Sequence, residues 1–329
     1  MKCIVTIDVE EEGLFSGKYP QRPDGVKNVR ELRRLEFLPR ELGFPLTLLV
    51  TYPVIQDPRC REVLQHWRRN LDIEIGAHLH PWSTPPYDPI PGRKEPVPSD
   101  GIPYPLLQNK LESLLGALDK HLGIHPTAFR MGRFDLGRRI LGLIPRYGIT
   151  VDSSIVPLRS VAGGPDHFLF PADPFRLRGG KGDLQAVVEA PLTLLPVRTS
   201  WAEGIYRLAA PMPSWKRDAV MTTFRYLAVV GTQPAWFPLF SMMWATGLHR
   251  KRGGRYLTVF LHSSELCPGA TPAFRHQKAV ERLVGRIRSY FQWLRRTGCV
   301  EGAVLSSLEE ETGLPWVNMD RLQRPGQSS

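Results

Sequence analysis

Strand-length apolar runs alternate with helical segments along most of this chain, and run after run gives way to acidic, imidazole or guanidinium side chains. Residues 5–9, 46–51, 71–77, 127–130, 148–152, 186–195, 255–261 and 299–305 read as strands. Between them, 29–42, 58–69, 106–122, 135–147, 214–230, 235–250 and 272–297 read as helices, with Gly43, Gly123 and Gly298 placed as stops. Pro39 predicts a bend in the first of these helices. Continuous apolar strands separated by helices predict a parallel sheet covered on both faces. Seven or eight such strands fit an irregular (β/α) barrel better than a dinucleotide-binding sheet. No G-x-G-x-x-G follows the first strand, and Asp8-Val9-Glu10-Glu11-Glu12 would repel a pyrophosphate.

The 329 residues are expected to form one barrel domain over 1–318, with a polar tail at 319–329. Two stretches read as inserted loops. Residues 81–105 are proline-rich, and 157–183 are rich in Gly, Pro and Asp. Loops of that length in a compact fold commonly shape a pocket. Cys3, Cys60, Cys267 and Cys299 are far apart, which excludes a C-x-x-C redox or zinc motif. Cys3 and Cys299 are expected as buried strand residues. Met1-Lys2 runs directly into a strand without an apolar leader, the pattern of a cytoplasmic protein.

The net charge of +11 favours anionic partners, such as phosphorylated substrates or a lipid surface. Nucleic acid is not expected, because no recognition-helix or zinc-knuckle signature accompanies the charge. Solvated arginine-rich helix faces are the plainer account of much of it. The segment 233–248 carries Trp236, Phe237, Phe240, Met242, Met243 and Trp244. It suits peripheral membrane contact, a pocket wall or a buried helix.

In a barrel of this kind, chemistry gathers at the C-terminal ends of the strands. Asp8 ends the first run and Glu10 follows two residues on, so in an extended chain both carboxylates face one way. One suits a metal ligand and the other a base; a short acidic surface loop is the alternative. His78 and His80 share the same spacing at the end of the third strand, and with a neighbouring carboxylate they suit zinc or a similar divalent cation. Arg130 and Arg133 follow the fourth strand, where an arginine orients a catalytic Asp or pairs with Asp135 or Asp152. His262 follows Leu261 as a candidate general acid, and Glu265 either orients it or caps the next turn.

These segments resemble the polysaccharide deacetylase superfamily (NodB homology, carbohydrate esterase family 4). Thr6-Ile7-Asp8-Val9-Glu10 is similar to the family's first motif, Glu74-Ile75-Gly76-Ala77-His78 to its second, and Phe129-Arg130-Met131-Gly132-Arg133 to its arginine motif. Val151 to Ser154 is similar to the fourth motif and Leu261-His262-Ser263 to the last. The usual second motif, His-x-x-x-His, would put a ligand where this chain has Trp82, so His80 is taken as the substitute. The phrase from His78 to Pro86 resembles a WalW-type subgroup found among genes for lipopolysaccharide or exopolysaccharide assembly.

The resemblance implies a distorted (β/α)7–8 barrel in which Asp8 is the base, Glu10 and His78 bind a divalent metal such as zinc, and His262 is the acid. The implied activity is removal of an N-acyl group, in particular N-acetyl, from a sugar, including nucleotide- or lipid-phosphate-linked sugars. Deformylation of a lipid-phosphate-linked amino sugar and an inactive carbohydrate-binding relative are the alternatives.

Overall fold

The computed structural model describes residues 1–90, 95–160, 164–178 and 186–318. Its strands are β1 (Lys2–Val9), β2 (Leu46–Val50), β3 (Ile73–Leu79), β4 (Ala128–Met131), β5 (Val151–Asp152), β6 (Phe175–Arg178), β7 (Val187–Glu189), β8 (Leu194–Pro196), β9 (Val229–Gly231), β10 (Tyr256–His262), β11 (Glu301–Ala303) and β12 (Trp316–Asn318). Seven of them lie side by side in the order β10-β1-β2-β3-β4-β5-β7, and every neighbouring pair is parallel. Beyond β7 the sheet continues through antiparallel β6 to β12. β11 pairs with residues 2–4 of β1, ahead of the part that pairs with β2. The architecture is the expected distorted barrel.

The gap between β7 and β10 is bridged by the chain that leaves β7. Thr193 donates its N–H to the carbonyl of Thr258 (3.2 Å), and its hydroxyl accepts the Thr258 N–H at 2.8 Å. Thr232 and Gln233 also donate to the Thr258 carbonyl, at 3.3 and 3.2 Å. The strand stretch expected over 186–195 with an interruption at Pro191 is two strands, β7 and β8. Pro191, with no N–H to give a ladder, lies in the break between them. β8 pairs antiparallel with β9 across α5 and α6, a two-stranded sheet the periodicity did not reveal because both strands are three residues long.

The helices are α1 (Tyr52–Gln56), α2 (Pro58–Asn70), α3 (Tyr104–Leu122), α4 (Arg138–Leu143), α5 (Thr199–Ala209), α6 (Ser214–Ala228), α7 (Leu239–Lys251) and α8 (Gln277–Thr297). The expected helix over 29–42 is instead a 3-10 segment, Lys27–Leu35, and a π turn, Leu38–Leu42. Pro39 cannot extend a regular i to i−4 ladder, and Gly43 closes the segment with φ 73°. The helix expected from Asp135 begins only at Arg138. α5 was not expected, and β6 falls inside the stretch read as an irregular insertion. Cys3 is buried, but Cys299 is an exposed loop residue, and all four cysteines are free. The expected tail lies outside the described residues. Among the described residues no helix is long and apolar enough to cross a membrane.

Strand alternation separates two cores. Val5, Ile7, Leu48, Val50, Ala77, Leu79, Val259 and Leu261 belong to the large cluster that includes helix residues such as Leu64, Leu111, Leu114 and Ile287. Side chains of the opposite parity, among them Ile4, Leu49, Ala128, Val151 and Val188, pack inside the barrel with Leu305, Leu308 and Leu314. On β3 that inward parity reads Glu74, Gly76, His78. A side chain at Gly76 would lie 2.7 Å from Leu49 Cδ2 and 2.8 Å from the Ala128 carbonyl, so the barrel interior is closed to bulk at that level.

Glu74 therefore serves the start of the strand rather than its catalytic end. It accepts from Thr47 Oγ1 at 2.7 Å, Leu305 N at 2.9 Å and Ser306 N at 3.2 Å, tying the chain after β11 to β2 and β3. Truncation would leave buried donors unsatisfied. E74A is expected to lose roughly 2–3 kcal/mol of stability, read as a lower urea midpoint at unchanged slope, with metal content unaltered. E74Q, which keeps an acceptor, is expected to lose less.

Candidate active site

Parallel register brings the polar strand ends together. Asp8 stands opposite His262 in the β1–β10 ladder, and His78 opposite Arg130 in the β3–β4 ladder. Asp8, Glu10, His78, His80, Arg133 and His262 all line one cavity of about 520 Å³. Its walls include Phe15, Tyr19, Trp82, Phe134 and Trp236. Arg130 lies beneath, with no exposure to solvent.

The Arg130 guanidinium donates to Asp8 Oδ1 at 2.6 Å, to the Ser153 carbonyl at 2.6 Å, to Ser153 Oγ at 2.7 Å and to Thr6 Oγ1 at 2.9 Å. It also lies over the Phe260 and Phe134 rings, at 5.1 and 5.2 Å. Burial pushes the Asp8 carboxyl up. The charge of Arg130, with that of His78 and His262, outweighs burial and holds it below the usual carboxylate range. Only Oδ1 is tied to Arg130; Oδ2 lies 3.5 Å from His78 Nε2.

Glu10 Oε2, His78 Nε2 and His80 Nε2 form a small triangle, with edges of 3.6, 3.4 and 3.0 Å. Two ligands about 2.1 Å from a tetrahedral ion stand about 3.4 Å apart, so the triangle fits one divalent cation. The tautomers agree. His78 Nδ1 donates to the Arg130 carbonyl at 3.0 Å, and His80 Nδ1 faces Glu11 Oε1 at 2.9 Å. Both Nε2 lone pairs then point at each other and at a carboxylate, an arrangement a cation resolves. Charge agrees as well. Asp8, Glu10 and Glu11 are three buried carboxylates facing Arg130, His262 and the two imidazoles, and a bound cation would balance their charge in place of protons on His78 and His80.

Glu11 was not singled out from the sequence, where it reads as one more acid in a run of three. It is 1% exposed. One oxygen takes His80 Nδ1, Ser83 Oγ (2.7 Å) and Trp82 Nε1 (3.2 Å); the other takes Thr51 Oγ1 at 3.0 Å. Burial would raise its pKa, but His80 and these donors hold it at about 2. Trp82 stacks on His80 with centroids 4.3 Å apart. The tryptophan at the usual ligand position therefore helps aim the histidine that replaces it.

On the other side of the cavity, His262 Nε2 lies 4.0 Å from Glu10 Oε1. Its Nδ1 is held by Glu265 Oε1 at 3.0 Å, and its backbone N–H donates to Glu265 Oε2 at 3.1 Å. Glu265 thus orients the imidazole and caps the turn at once. Burial alone would lower the His262 pKa; Glu10 and Glu265 overcome it and lift it to about 9. Asn28 braces the far side, donating to the Glu10 carbonyl at 2.9 Å and to Ser263 Oγ at 2.8 Å.

The two arginines of the fourth segment part company. Arg130 meets Asp8, whereas Arg133 makes no contact with it. Arg133 and Phe134 have φ of 58° and 59°, an unusual left-handed pair that sends Arg133 to the cavity wall over the Tyr19 ring, at 5.6 Å. Neither arginine pairs with Asp152. That carboxyl lies beside Glu189, and burial together with Asp152 pushes Glu189 well above the carboxylate range. One proton shared by the pair accounts for two buried acids side by side.

No family model matches the chain, and no curated protein matches it in sequence. The fold, however, occurs in solved structures. A protein assigned as a polysaccharide deacetylase from Mycobacterium smegmatis aligns with a TM-score of 0.56 and 17% identity, over 94% of this chain and 89% of the other. A protein assigned as a glycoside hydrolase/deacetylase from Parabacteroides distasonis aligns with a TM-score of 0.59 and 12% identity, over 94% and 70%. The 4-alpha-glucanotransferase of Thermococcus litoralis aligns with a TM-score of 0.52 and 11% identity, over 97% of this chain but 42% of its own length.

A carboxylate that fixes a ligand's tautomer typically changes metal affinity 10- to 100-fold. E11A is expected to weaken zinc binding by about that factor in a competition titration against a chelating dye. D8N, which leaves the triangle intact, is expected to stay within about threefold of the parent. An unchanged affinity in E11A would remove Glu11 from the site.

Proposed function

We propose that this chain is a metal-dependent hydrolase that removes an N-acyl group, N-acetyl in the first instance, from a sugar. The proposal assigns the activity to one domain over residues 1–318, acting in the cytoplasm on sugars destined for cell-surface polysaccharide or lipopolysaccharide. The observation that carries it is the triangle of Glu10, His78 and His80 flanked by two groups with opposite protonic roles. Asp8 is an ionised carboxylate with one free oxygen beside the triangle. His262 is a proton-rich imidazole on the other side.

Glu10, His78 and His80 would hold the ion, and zinc suits a two-histidine, one-carboxylate set. When bound, such an ion supplies Lewis-acid polarisation of a carbonyl and a lowered pKa for water. The protein's own groups do the rest. Asp8 takes a proton from the attacking water, whose oxygen bonds to the acyl carbon. The carbon–nitrogen bond then breaks as His262 gives its proton to the departing amine, leaving a free amino sugar and a carboxylic acid. Arg130 keeps Asp8 ionised and immobile, and Glu265 keeps the His262 Nε2 proton aimed inward. Phe15, Tyr19 and Trp236 offer aromatic faces on which sugar rings stack.

Glycoside cleavage, the chemistry of the glucanotransferase neighbour, requires a carboxylic acid poised to donate a proton. Asp8 and Glu10 are the only carboxylates among the described lining residues, and Asp8 is held ionised. Amide hydrolysis therefore fits this cavity better.

D8N and H262A are each expected to lose at least about a thousandfold in kcat on an N-acetylated amino sugar while retaining bound metal. H78A and H80A are expected to lose the metal itself, read by elemental analysis of the purified proteins. Full metal occupancy in H80A would sink its assignment as a ligand. Chelation is expected to abolish activity and zinc to restore it, and the mass of the product separates loss of acetyl from loss of formyl.

A further inference from the structure

Three arginines meet at the outer wall of the cavity. Arg133 arrives from the left-handed turn after β4, Arg159 from the segment after β5, and Arg225 from α6. All three are partly buried. Among the described residues none lies within salt-bridge distance of a carboxylate. Arg133 rests over the Tyr19 ring, and Arg225 donates to Thr222 of its own helix at 3.0 Å. The carboxylates of the Arg159 segment are engaged elsewhere. Asp166 accepts from Ser160, the Phe168 N–H and Tyr206, and Asp173 accepts from the Arg255 and Tyr256 N–H groups.

Asp135, two residues from Arg133, feels its charge but accepts from the Ser99 N–H at 2.6 Å, so the three guanidiniums have no ion-pair partner and repel one another. Burial, then Arg225 and Arg133, pull the Arg159 pKa below the ordinary arginine value. Such an arrangement is stabilised when an anion joins it, and forked donors suit phosphate oxygens.

What lies beyond the arginines has the opposite character. A second cavity of about 580 Å³ shares Arg159, Arg225 and Trp236 with the first. Its remaining lining is mainly apolar, including Val156, Leu194, Val229 and Phe237. Exposed apolar side chains lie beside it on α6 and α7. Tyr226, itself a lining residue, is 85% exposed, Leu227 80% and Phe240 74%. A nucleoside would bring a ribose and a base whose polar edges need partners that such a wall does not supply. A hydrocarbon chain needs none.

We propose that Arg133, Arg159 and Arg225 form a phosphate subsite, so that the sugar at the metal triangle carries a phosphate ester whose hydrocarbon chain continues into the second cavity. The substrate class is then a polyprenyl- or alkyl-phosphate-linked N-acyl sugar. The inference rests on the deacylase reading for the sugar end alone. The phosphate and the chain are read from the arginines and the second cavity.

Binding of sugar-free probes separates the two ideas. Farnesyl phosphate, farnesol, inorganic phosphate and uridine diphosphate would be titrated against the zinc-loaded protein, following the fluorescence of Trp236 against a W236F control. Farnesyl phosphate is expected to bind at least about tenfold tighter than farnesol or inorganic phosphate. R159Q and R225Q are each expected to weaken it about tenfold while leaving the thermal midpoint and zinc content unchanged. Equal affinity for farnesyl phosphate and farnesol, or unchanged binding in both variants, overturns the phosphate subsite. Tighter binding of uridine diphosphate than of farnesyl phosphate overturns the hydrocarbon assignment. If farnesyl phosphate binds as expected but no N-acyl sugar is hydrolysed, the subsite stands and the deacylase reading fails.

Discussion

A guanidinium with no access to water must satisfy its donors inside the protein, and Arg130 does so by joining three strand ends. Its bonds reach Asp8 and Thr6 on β1 and Ser153 beyond β5, while its own carbonyl fixes His78 on β3. The pair with Asp8 is therefore more than a local ion pair. A buried pair of this kind gives little net stability, because desolvation offsets attraction, yet removing one partner leaves the other charge stranded. Such a pair is a device for position, and here it fixes the carboxylate, the histidine tautomer and the spacing of strands around the barrel mouth together.

The triangle of Glu10, His78 and His80 depends on the same economy of shape. β3 places Glu74, Gly76 and His78 on its inward face, and His80 continues that parity into the loop. Glu74 closes the bottom, Gly76 leaves room for Leu49 and the Ala128 backbone, and the two imidazoles face the mouth. Gly132 completes the approach. A side chain there would meet the His80 ring at 2.5 Å, so the turn after β4 packs directly on a candidate ligand. With histidines two apart rather than four, the second ring needs its own support. Glu11 and Trp82 supply it from β1's exit and from the loop itself.

Polarity then changes with distance from the barrel axis. At the centre, Asp8, Glu10 and Glu11 surround two imidazoles whose geometry fits a divalent cation. Farther out, Arg133, Arg159 and Arg225 line the wall without an ion pair among the described residues, the basis of the proposed anion subsite. Beyond them the wall is apolar. In a dry site each such zone is stabilised by a ligand of matching character, as the proposals for this chain assign them. This gradient also gives a use to the aromatic segment 233–248, in which Trp236 joins the two cavities while Met242 is buried in the core.

Residue alternation and residue type alone determined much of this protein. Apolar strands alternating with helices required a parallel sheet. The period of two placed Asp8 with Glu10 and His78 with His80, because successive residues of an extended chain face opposite ways. His262 and Arg130 were legible as polar residues at strand ends. The tertiary structure alone decided which of two arginines meets Asp8, since that depends on the left-handed turn at residues 133 and 134. It also gave Glu11 its role, because an acid among three acids acquires meaning only from partners at positions 51, 80, 82 and 83. The closure through Thr193 and Thr258 and the meeting of Arg133, Arg159 and Arg225 were beyond reading for one physical reason. Contacts between residues far apart in the chain follow from how strands curl and loops fold back, and no local pattern encodes that.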